Sequence, residues 1–295
     1  MSTGPVLVTG GAGFVGRRLV ARLLSSGADV RVLDLRPPHV EVASYLGDVR
    51  DPQLVEQAVA GVRTIFHLAA RTGVRASVEA AADVIDVNAR GTALLLDAAE
   101  RAGVRKVVLA SSLAVFGDTS RHPKARAGLD QARLPTSPYG ASKLAAEGLM
   151  SAFAATSSAR CAVVRLSNVY GPHAGTDQVI GHFLDGLGRG RPLSLFGDGT
   201  SRRDYLHVDD AVRELQQGAA EAARRRPAVR HGATGHSTSL RELIDLLQQV
   251  TGRQAELDVL PPQPGDPHTV LASPSPLPGA ERVALREGLE DLCSS

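Results

Sequence analysis

Alternation between short apolar runs and longer helical stretches is the feature of this 295-residue chain that most restricts its fold. Each apolar run before residue 170 is continuous, rich in β-branched residues and bounded by Gly, Asp or Ser, as is typical of strands buried on both faces. The predicted strands cover residues 6–9, 30–34, 64–69, 106–112 and 161–168. Helices are predicted to begin near Phe14, Pro52, Ser77 and Ser137. This order predicts an α/β fold, a doubly wound parallel sheet with helices on both faces.

Three glycines directly after the first predicted strand indicate a dinucleotide site of the Rossmann type. Gly10, Gly13 and Gly16 open the first helix, where glycine permits a tight turn and close approach to a pyrophosphate. Asp34 ends the second strand, where a carboxylate accepts hydrogen bonds from a ribose diol and repels a 2′-phosphate. The combination favours NAD over NADP, although Arg36 is able to accommodate that phosphate. A purely structural glycine turn is the alternative.

The pattern changes after residue 170. Gly, Pro, Asp and Arg become frequent, strand signals are sparse, and helices are predicted only over 208–225 and 239–251. Residues 261–279 are dense in proline and are either an ordered loop or a loosely held tail. We therefore expect residues 1–170 to form an NAD-binding domain. Residues 171–295 are expected to form mainly a small substrate lobe, with some segments returning to the core.

Composition excludes several classes of protein. The net charge of +2 and the absence of a basic patch interleaved with aromatics argue against nucleic-acid binding. No window approaches about eighteen apolar residues, so we expect no membrane span. Cys161 and Cys293 fit neither a disulfide framework nor a metal site, and the histidines lack ligand spacing. We expect a soluble, cytoplasmic protein without a metal, in which the run 224–226 (three arginines) is a solvated helix end.

Tyr139 and Lys143 form a candidate proton-transfer pair. On a helix, positions i and i+4 share one face, so the ammonium is able to reach the phenol. A neighbouring cation favours the phenolate and lowers the tyrosine pKa, which would allow proton transfer at neutral pH. The alternative is an exposed helix face on which this spacing is accidental.

With these residues assembled, the chain resembles the extended short-chain dehydrogenase/reductase family, and within it the NAD-dependent nucleotide-sugar epimerases and dehydratases. The resemblance extends from about residue 5 to about residue 215, with a looser match to near residue 292. The matching segments stand in family order at residues 10–16, 48–49, 67–70, 88, 111–117, 137–143, 165–172 and 197–210.

The resemblance implies a role for individual residues. Tyr139 would exchange a proton with a sugar hydroxyl, Lys143 would bind the nicotinamide ribose, and Ser112 would align the same hydroxyl. Asn168 and Arg203 would contact the diphosphate of a UDP- or TDP-linked sugar. The residues expected to bind NAD are Gly10, Gly13, Phe14, Val15, Gly16, Asp34, Asp48, Val49, Leu68, Ala69, Ala70, Asn88, Ser111, Tyr139 and Lys143.

Leu113 and Ala114 discriminate among the reactions of the family. Related 4,6-dehydratases have an acidic pair after the catalytic Ser/Thr position, and related glucuronate decarboxylases have a glutamate two positions after it. Leu113 and Ala114 are able neither to take nor to give a proton. We therefore expect a 4-epimerase acting on a hexose or uronic acid. The alternatives are an NAD(P)H-dependent 4-ketosugar reductase and, less favoured, a 4,6-dehydratase, a decarboxylase or a non-catalytic NAD-binding protein.

The substrate lobe shows one similarity to uronic-acid epimerases and one departure from relatives. The loop around Arg75 resembles that of the uronic-acid 4-epimerases, so Arg75 is a candidate for binding a sugar carboxylate. The alternative is that the Arg75 side chain lies in solvent or contacts the cofactor phosphates. Gln263 stands near Gly265 where relatives commonly have a second diphosphate-binding arginine, and the tail lacks the usual tryptophan. As in relatives, we expect a homodimer formed by the helices near 77–102 and 137–156.

Overall fold

The computed structural model describes residues 4–121, 126–262, 266–279 and 281–294. Its strands are β1 (Val6–Thr9), β2 (Val30–Asp34), β3 (Ala43–Leu46), β4 (Thr64–His67), β5 (Lys106–Ser112), β6 (Arg160–Leu166), β7 (Asn168–Tyr170), β8 (Leu193–Phe196), β9 (Arg202–Arg203), β10 (Tyr205–His207), β11 (Ala228–Gly232), β12 (Thr238–Ser239), β13 (Leu257–Leu260) and β14 (Thr269–Val270). Its helices are α1 (Phe14–Ser25), α2 (Pro52–Val59), α3 (Val74–Glu79), α4 (Ala81–Ile85), α5 (Gly91–Arg101), α6 (Pro138–Thr156), α7 (Val179–Arg189), α8 (Val208–Glu221), α9 (Leu240–Thr251) and α10 (Leu285–Ser294).

Seven parallel strands form the central sheet, in the order β3-β2-β1-β4-β5-β6-β11. The strand order reverses between β1 and β4, and in doubly wound sheets the crevice outside the carboxyl ends at this point binds the ligand. Apolar side chains of α2, α5 and α6 pack on one face of the sheet, and those of α1 and α8 pack on the other. The predicted Rossmann-type α/β fold is confirmed.

Strand ends differ from the prediction where tertiary pairing decides them. The strand expected over 161–168 divides into β6 and β7, because Ser167 N–H bonds the Gly232 carbonyl while Asn168 N–H turns to the Asp204 carbonyl. The strand expected over 64–69 ends at His67. Two strands of the sheet were not predicted: β3, whose side chains are mostly exposed at an edge, and β11, which returns from the second half of the chain.

Helix starts follow local capping chemistry. The Ser137 hydroxyl accepts the Gly140 N–H, and Pro138 occupies the first turn of α6, where its missing N–H costs no hydrogen bond. Helix α1 instead begins after Gly13, which offers no side-chain cap. Its first N–H groups therefore stay available to a ligand.

A second apolar cluster lies outside the sheet. It contains Phe183, Leu195 and Leu243 and is built by α7, α9, α10 and the short strands near them. Asp204 connects this part to the sheet, since its buried carboxylate accepts hydrogen bonds from Ser167 and from the backbone N–H groups of Thr234 and Gly235. Within the described ranges, no helix combines the length and apolar character needed to cross a membrane.

Candidate active site

The glycine loop after β1 is packed so closely that side chains would not fit. Gly10 adopts a φ of +72°, and a Cβ there would lie 2.7 Å from the backbone nitrogen of Ala69. A Cβ on Gly16 would collide with the Gly10 carbonyl oxygen, whereas one on Gly13 would meet only that same oxygen at 3.2 Å. The first turn of α1 contains no acidic residue. This loop is a cradle for an anion, with the positive end of α1 facing it.

Asp34 is held beside this loop at the carboxyl end of β2. One carboxylate oxygen accepts the Ala12 N–H at 2.9 Å, and the other accepts the Arg36 N–H at 3.1 Å. A carboxylate has about four acceptor positions, so two hydrogen bonds leave capacity for ribose hydroxyls. Asp34 therefore lies beside the glycine loop with acceptor capacity left, and its role toward NAD stays a prediction.

His67 fixes the opposite wall of the crevice. Its buried ring bonds the Thr9 hydroxyl through Nδ1 at 2.7 Å and the Thr92 hydroxyl through Nε2 at 2.9 Å. Thr92 donates its own proton to the Asn88 carbonyl, so we assign the imidazole proton to Nε2. Burial, with a smaller contribution from the Lys143 charge, lowers the pKa of His67 to about 3. The neutral ring therefore holds β1, β4 and α5 together.

Several predicted cofactor residues gather along this edge of the sheet. Phe14, Val15, Leu68, Ala69 and Ala70 are all half-buried, on the first turn of α1 and just after β4. The Ala69 N–H also donates to the Thr9 hydroxyl at 3.2 Å.

Asn88 lies in a π-helical turn (Asp86–Arg90) between α4 and α5. Its side-chain oxygen accepts the Arg71 N–H at 2.8 Å, and its amide donates to the Arg71 carbonyl at 2.9 Å and to the Ser142 hydroxyl at 2.8 Å. Ser142 in turn donates to the Tyr139 carbonyl. Such π-turns are frequent at functional sites. Here the turn ties the loop after β4 to the start of α6.

Asp48 and Val49 are fixed by different partners. The Asp48 carboxylate pairs with Arg50 at 2.7 Å, and hydrogen bonding from Arg50 lowers the pKa of Asp48. Val49 is buried against Gly91, where a Cβ would come within 2.7 Å of its side chain.

Ser112, Tyr139 and Lys143 meet at the carboxyl end of β5. The Tyr139 phenol lies near enough to the Ser112 side chain for that hydroxyl to lower its pKa, and the Ser112 oxygen accepts the Ala114 N–H at 3.1 Å. The Lys143 ammonium is buried and donates to the Ala110 carbonyl at 2.9 Å. Burial lowers the pKa of Lys143 to about 8, opposed by the charge of Glu147.

The expectation that the pKa of Tyr139 is lowered is wrong for the protein without its cofactor. Burial raises the pKa of Tyr139, with the Ser112 hydroxyl acting in the opposite direction. The Lys143 ammonium, which was expected to lower this pKa, donates to the Ala110 carbonyl. A bound nicotinamide cation would favour the phenolate.

A buried ion pair behind this site was missed by sequence reasoning. Glu147 receives two hydrogen bonds from Arg165, at 2.9 and 2.8 Å, and a third from the Ser111 hydroxyl at 2.6 Å. Arg165 also contacts the ring of His231, whose pKa burial lowers to about 4. Ser111, predicted to bind NAD, thus donates its proton within the protein. The four-residue spacing from Tyr139 to Lys143 continues to Glu147, and that spacing is the signal that could have revealed it.

The side chains predicted to bind the diphosphate of the substrate are not all free to do so. Asn168 is exposed at the start of β7. Arg203 donates through Nη1 to the carbonyls of Arg202 and His268 and through Nη2 to the Asp266 carboxylate (2.6 Å) and the Pro267 carbonyl. Among the bonds to described residues, these leave the Nε–H for a diphosphate, so the expected bidentate pairing requires them to rearrange.

Two further predictions fall outside what the structure describes. Arg75 has its backbone in α3, but its side chain is not among the described atoms, and Gln263 and Gly265 lie outside the described residues. Across the described ranges, no cluster of three His, Cys, Asp or Glu side chains is arranged to hold a metal ion.

Fold and site together define a dinucleotide-binding enzyme of the short-chain dehydrogenase/reductase type. The chain belongs to the NAD dependent epimerase/dehydratase family, whose model matches residues 6–225. It is 35% identical over 277 residues to a UDP-glucose 4-epimerase of Mycolicibacterium smegmatis, covering 88% of this chain and 87% of that protein. It is 34% identical over 229 residues to a dTDP-glucose 4,6-dehydratase of Streptomyces niveus, covering 72% and 67%.

A solved structure extends the likeness to nearly the whole chain. MoeE5 in complex with UDP-glucuronic acid and NAD superimposes with a TM-score of 0.90 at 35% identity, covering 97% of this chain and 96% of that one. The cofactor is NAD, and the residues fit it: the glycine loop leaves room for a pyrophosphate, α1 presents free N–H groups, and Asp34 keeps acceptor capacity beside them. The protein is an NAD-dependent enzyme of the sugar-nucleotide epimerase and dehydratase class.

Proposed function

We propose that this enzyme is a 4-epimerase of a UDP- or TDP-linked hexose or uronic acid. One observation carries the proposal: the two positions after Ser112 are Leu113 and Ala114. Leu113 is buried in a cluster with Phe116 and Val115, so no ionisable group is present there. Elimination and decarboxylation in related enzymes use acidic residues at these positions. Epimerisation at C4 needs only one proton shuttle and a hydride acceptor.

The chain's own residues supply the proton shuttle and the alignment. Tyr139 takes the proton of the sugar C4 hydroxyl and later returns it, while Ser112, which lies near the phenol, aligns that hydroxyl. Lys143 supplies a buried cation that would bind the nicotinamide ribose when NAD is present. When bound, NAD would supply a reversible hydride acceptor for C4, so that the hydride is able to return to the other face of the rotated ketone.

Dehydration is the second candidate, because the Streptomyces niveus dehydratase is 34% identical. That reaction needs a base for the sugar C5 proton. Glu147 follows Lys143 on α6, but both of its oxygens are bonded to Arg165, and it faces away from solvent. This engagement favours epimerisation over dehydration.

Purified protein incubated with UDP-glucose, UDP-glucuronate or TDP-glucose, without added cofactor, would test the proposal. Proton NMR should show inversion at C4 for one of the sugars and no new C6 methyl signal. Tyr139→Phe should lose about 10²- to 10⁴-fold in kcat while keeping bound NAD. A C6 methyl product would indicate dehydration, and turnover only with added NADH or NADPH would indicate a ketosugar reductase.

We further propose the arrangement in which the enzyme works. Residues after 170, apart from α8 and β11, would form the sugar-nucleotide lobe, with Asn168 and Arg203 beside the diphosphate and Arg75 beside a uronic-acid carboxylate. Small exposed residues on α6, including Ala145 and Ala152, suit close packing of a second copy and support a homodimer, which we place in the cytoplasm. Light scattering at micromolar concentration checks the dimer, and equal turnover of UDP-glucose and UDP-glucuronate by wild type and by Arg75→Ala would remove the carboxylate role.

A further inference from the structure

A cleft lies beside α6, apart from the NAD and sugar residues. Two adjoining cavities of about 340 and 210 Å³ share the lining residues Arg133, Arg165, Arg226, Pro227 and Val229. No residue predicted to bind the cofactor or substrate lines either cavity. The larger cavity lies within the volume range of small-molecule sites.

Three guanidinium groups line this cleft. Arg133 and Arg226 are exposed, and no described residue forms a hydrogen bond or ion pair with either side chain. Arg165 is 1% exposed, so a buried cation forms part of the wall. Two acidic residues also line the cleft, Asp130 and Glu147, and the charge of Glu147 is neutralised by Arg165. The cleft therefore has an excess of positive charge.

Arg226 is placed in the cleft by local backbone structure. The sequence predicted that residues 224–226 are a helix end, but α8 stops at Glu221 and the run forms a turn. Ala223 pairs with Cys161 through two backbone hydrogen bonds, at 2.7 and 3.1 Å, and Arg225 has a left-handed φ of +66°. The turn is anchored at both ends, because β11 begins two residues after Arg226.

We propose that this cleft binds a small phosphate ester. Guanidinium groups are suited to phosphate because their paired N–H donors match its oxygens, and they form charge-assisted hydrogen bonds. Leu129, Pro227 and Val229 supply an apolar wall for the organic part of the ester. The binding does not depend on the proposed sugar reaction.

Calorimetric titration of the NAD-loaded protein with phenyl phosphate tests this site. Wild type should bind it, and Arg226→Gln and Arg133→Gln should each weaken binding at least tenfold. Arg224→Gln is the matched control, since it removes the same charge from the same turn at a position that does not line the cleft. Inorganic phosphate and phenol distinguish the sources of affinity: phosphate should bind more weakly than the ester, and phenol should not bind.

Unfolding temperature provides a second readout. Phenyl phosphate should raise it for wild type and for Arg224→Gln but not for Arg226→Gln, because a ligand stabilises only the state that binds it. Equal affinity in wild type and Arg226→Gln would overturn the proposal. Equal weakening in Arg224→Gln would also overturn it, because it would show attraction to the net charge alone.

Discussion

At the scale of single residues, the face of α6 that contains Tyr139 and Lys143 continues to Glu147. These side chains are spaced by four: Tyr139 lies beside Ser112 and Lys143 bonds the Ala110 carbonyl, both in β5, whereas Glu147 pairs with Arg165 of β6. The proton-transfer pair that the sequence predicts thus lies next to an ion pair that only packing reveals.

Glu147→Gln should both destabilise the fold and shift the pH profile. Arg165 would be left buried without its counter-ion, at a cost of about 3–5 kcal/mol. Glu147 raises the pKa of Lys143 against burial, so its loss moves that pKa below about 8 and the alkaline limb of kcat to lower pH. Urea unfolding and a pH–rate profile measure the two effects.

Glu147→Gln combined with Arg165→Met should recover most of the stability while keeping the pH shift, because no buried charge is left unpaired. Glu100→Gln, at an exposed position of α5, is the control and should change neither quantity. An unaltered alkaline limb in the double variant would contradict the effect on Lys143.

His67 should make the fold sensitive to acid. Its pKa is about 3 when folded and about 6.5 when unfolded, so the unfolded chain binds the proton first as pH falls. Its contribution is complete above about pH 6.5 and falls by about 3 kcal/mol by pH 4. His231, with a pKa of about 4, adds a loss over the same interval. Urea unfolding at both pH values should show a smaller acid loss in His67→Asn, with exposed His236→Gln matching wild type.

At the scale of elements, the glycine loop and α1 form one unit that excludes side chains. Gly16→Ala places a methyl group against the Gly10 carbonyl oxygen and 2.8 Å from the Gly11 Cα, so the loop has to move. We expect a destabilisation of about 1–3 kcal/mol and at least tenfold weaker NAD binding. Bound NAD after purification and its titration into the apoprotein give the result.

Gly188→Ala is the control for this element. Gly188 lies in α7, and a methyl group there would meet no atom of another element within 4 Å, so alanine should stabilise that helix by about 0.5–1 kcal/mol. Retention of NAD by Gly16→Ala at the wild-type level would contradict the assignment of the loop.

At the scale of the whole molecule, Arg203 joins two parts of the chain that lie far apart in sequence. It clamps residues 266–268 to β9, and the Asp266 carboxylate takes one of the Nη2 donors that we propose for a diphosphate. Asp266→Asn weakens this competition, so KM for the nucleotide sugar should fall about three- to tenfold with kcat unchanged. Steady-state kinetics measure both constants, and the exposed variant Asp245→Asn is the control. A raised KM in Asp266→Asn would show instead that Asp266 supports substrate binding.

Local sequence rules predicted the fold wherever periodicity and capping agree. β1, β2 and β5 begin and end as expected, and α6 begins after the capping residue Ser137. The edge strand β3 was missed because exposed side chains give no apolar run. Pairing with β2, and not an apolar pattern of its own, makes β3 a strand.

The sequence by itself determined the parallel sheet, the glycine loop and the family, and it predicted Ser112, Tyr139 and Lys143 as site residues, because each of these features depends on short local motifs. Tertiary structure alone decided the return of β11 to the sheet, the pairing of Glu147 with Arg165, the engagement of Arg203 by Asp266, and the raised pKa of Tyr139. These depend on burial and on partners distant along the chain. Neither is encoded in the spacing of neighbouring residues.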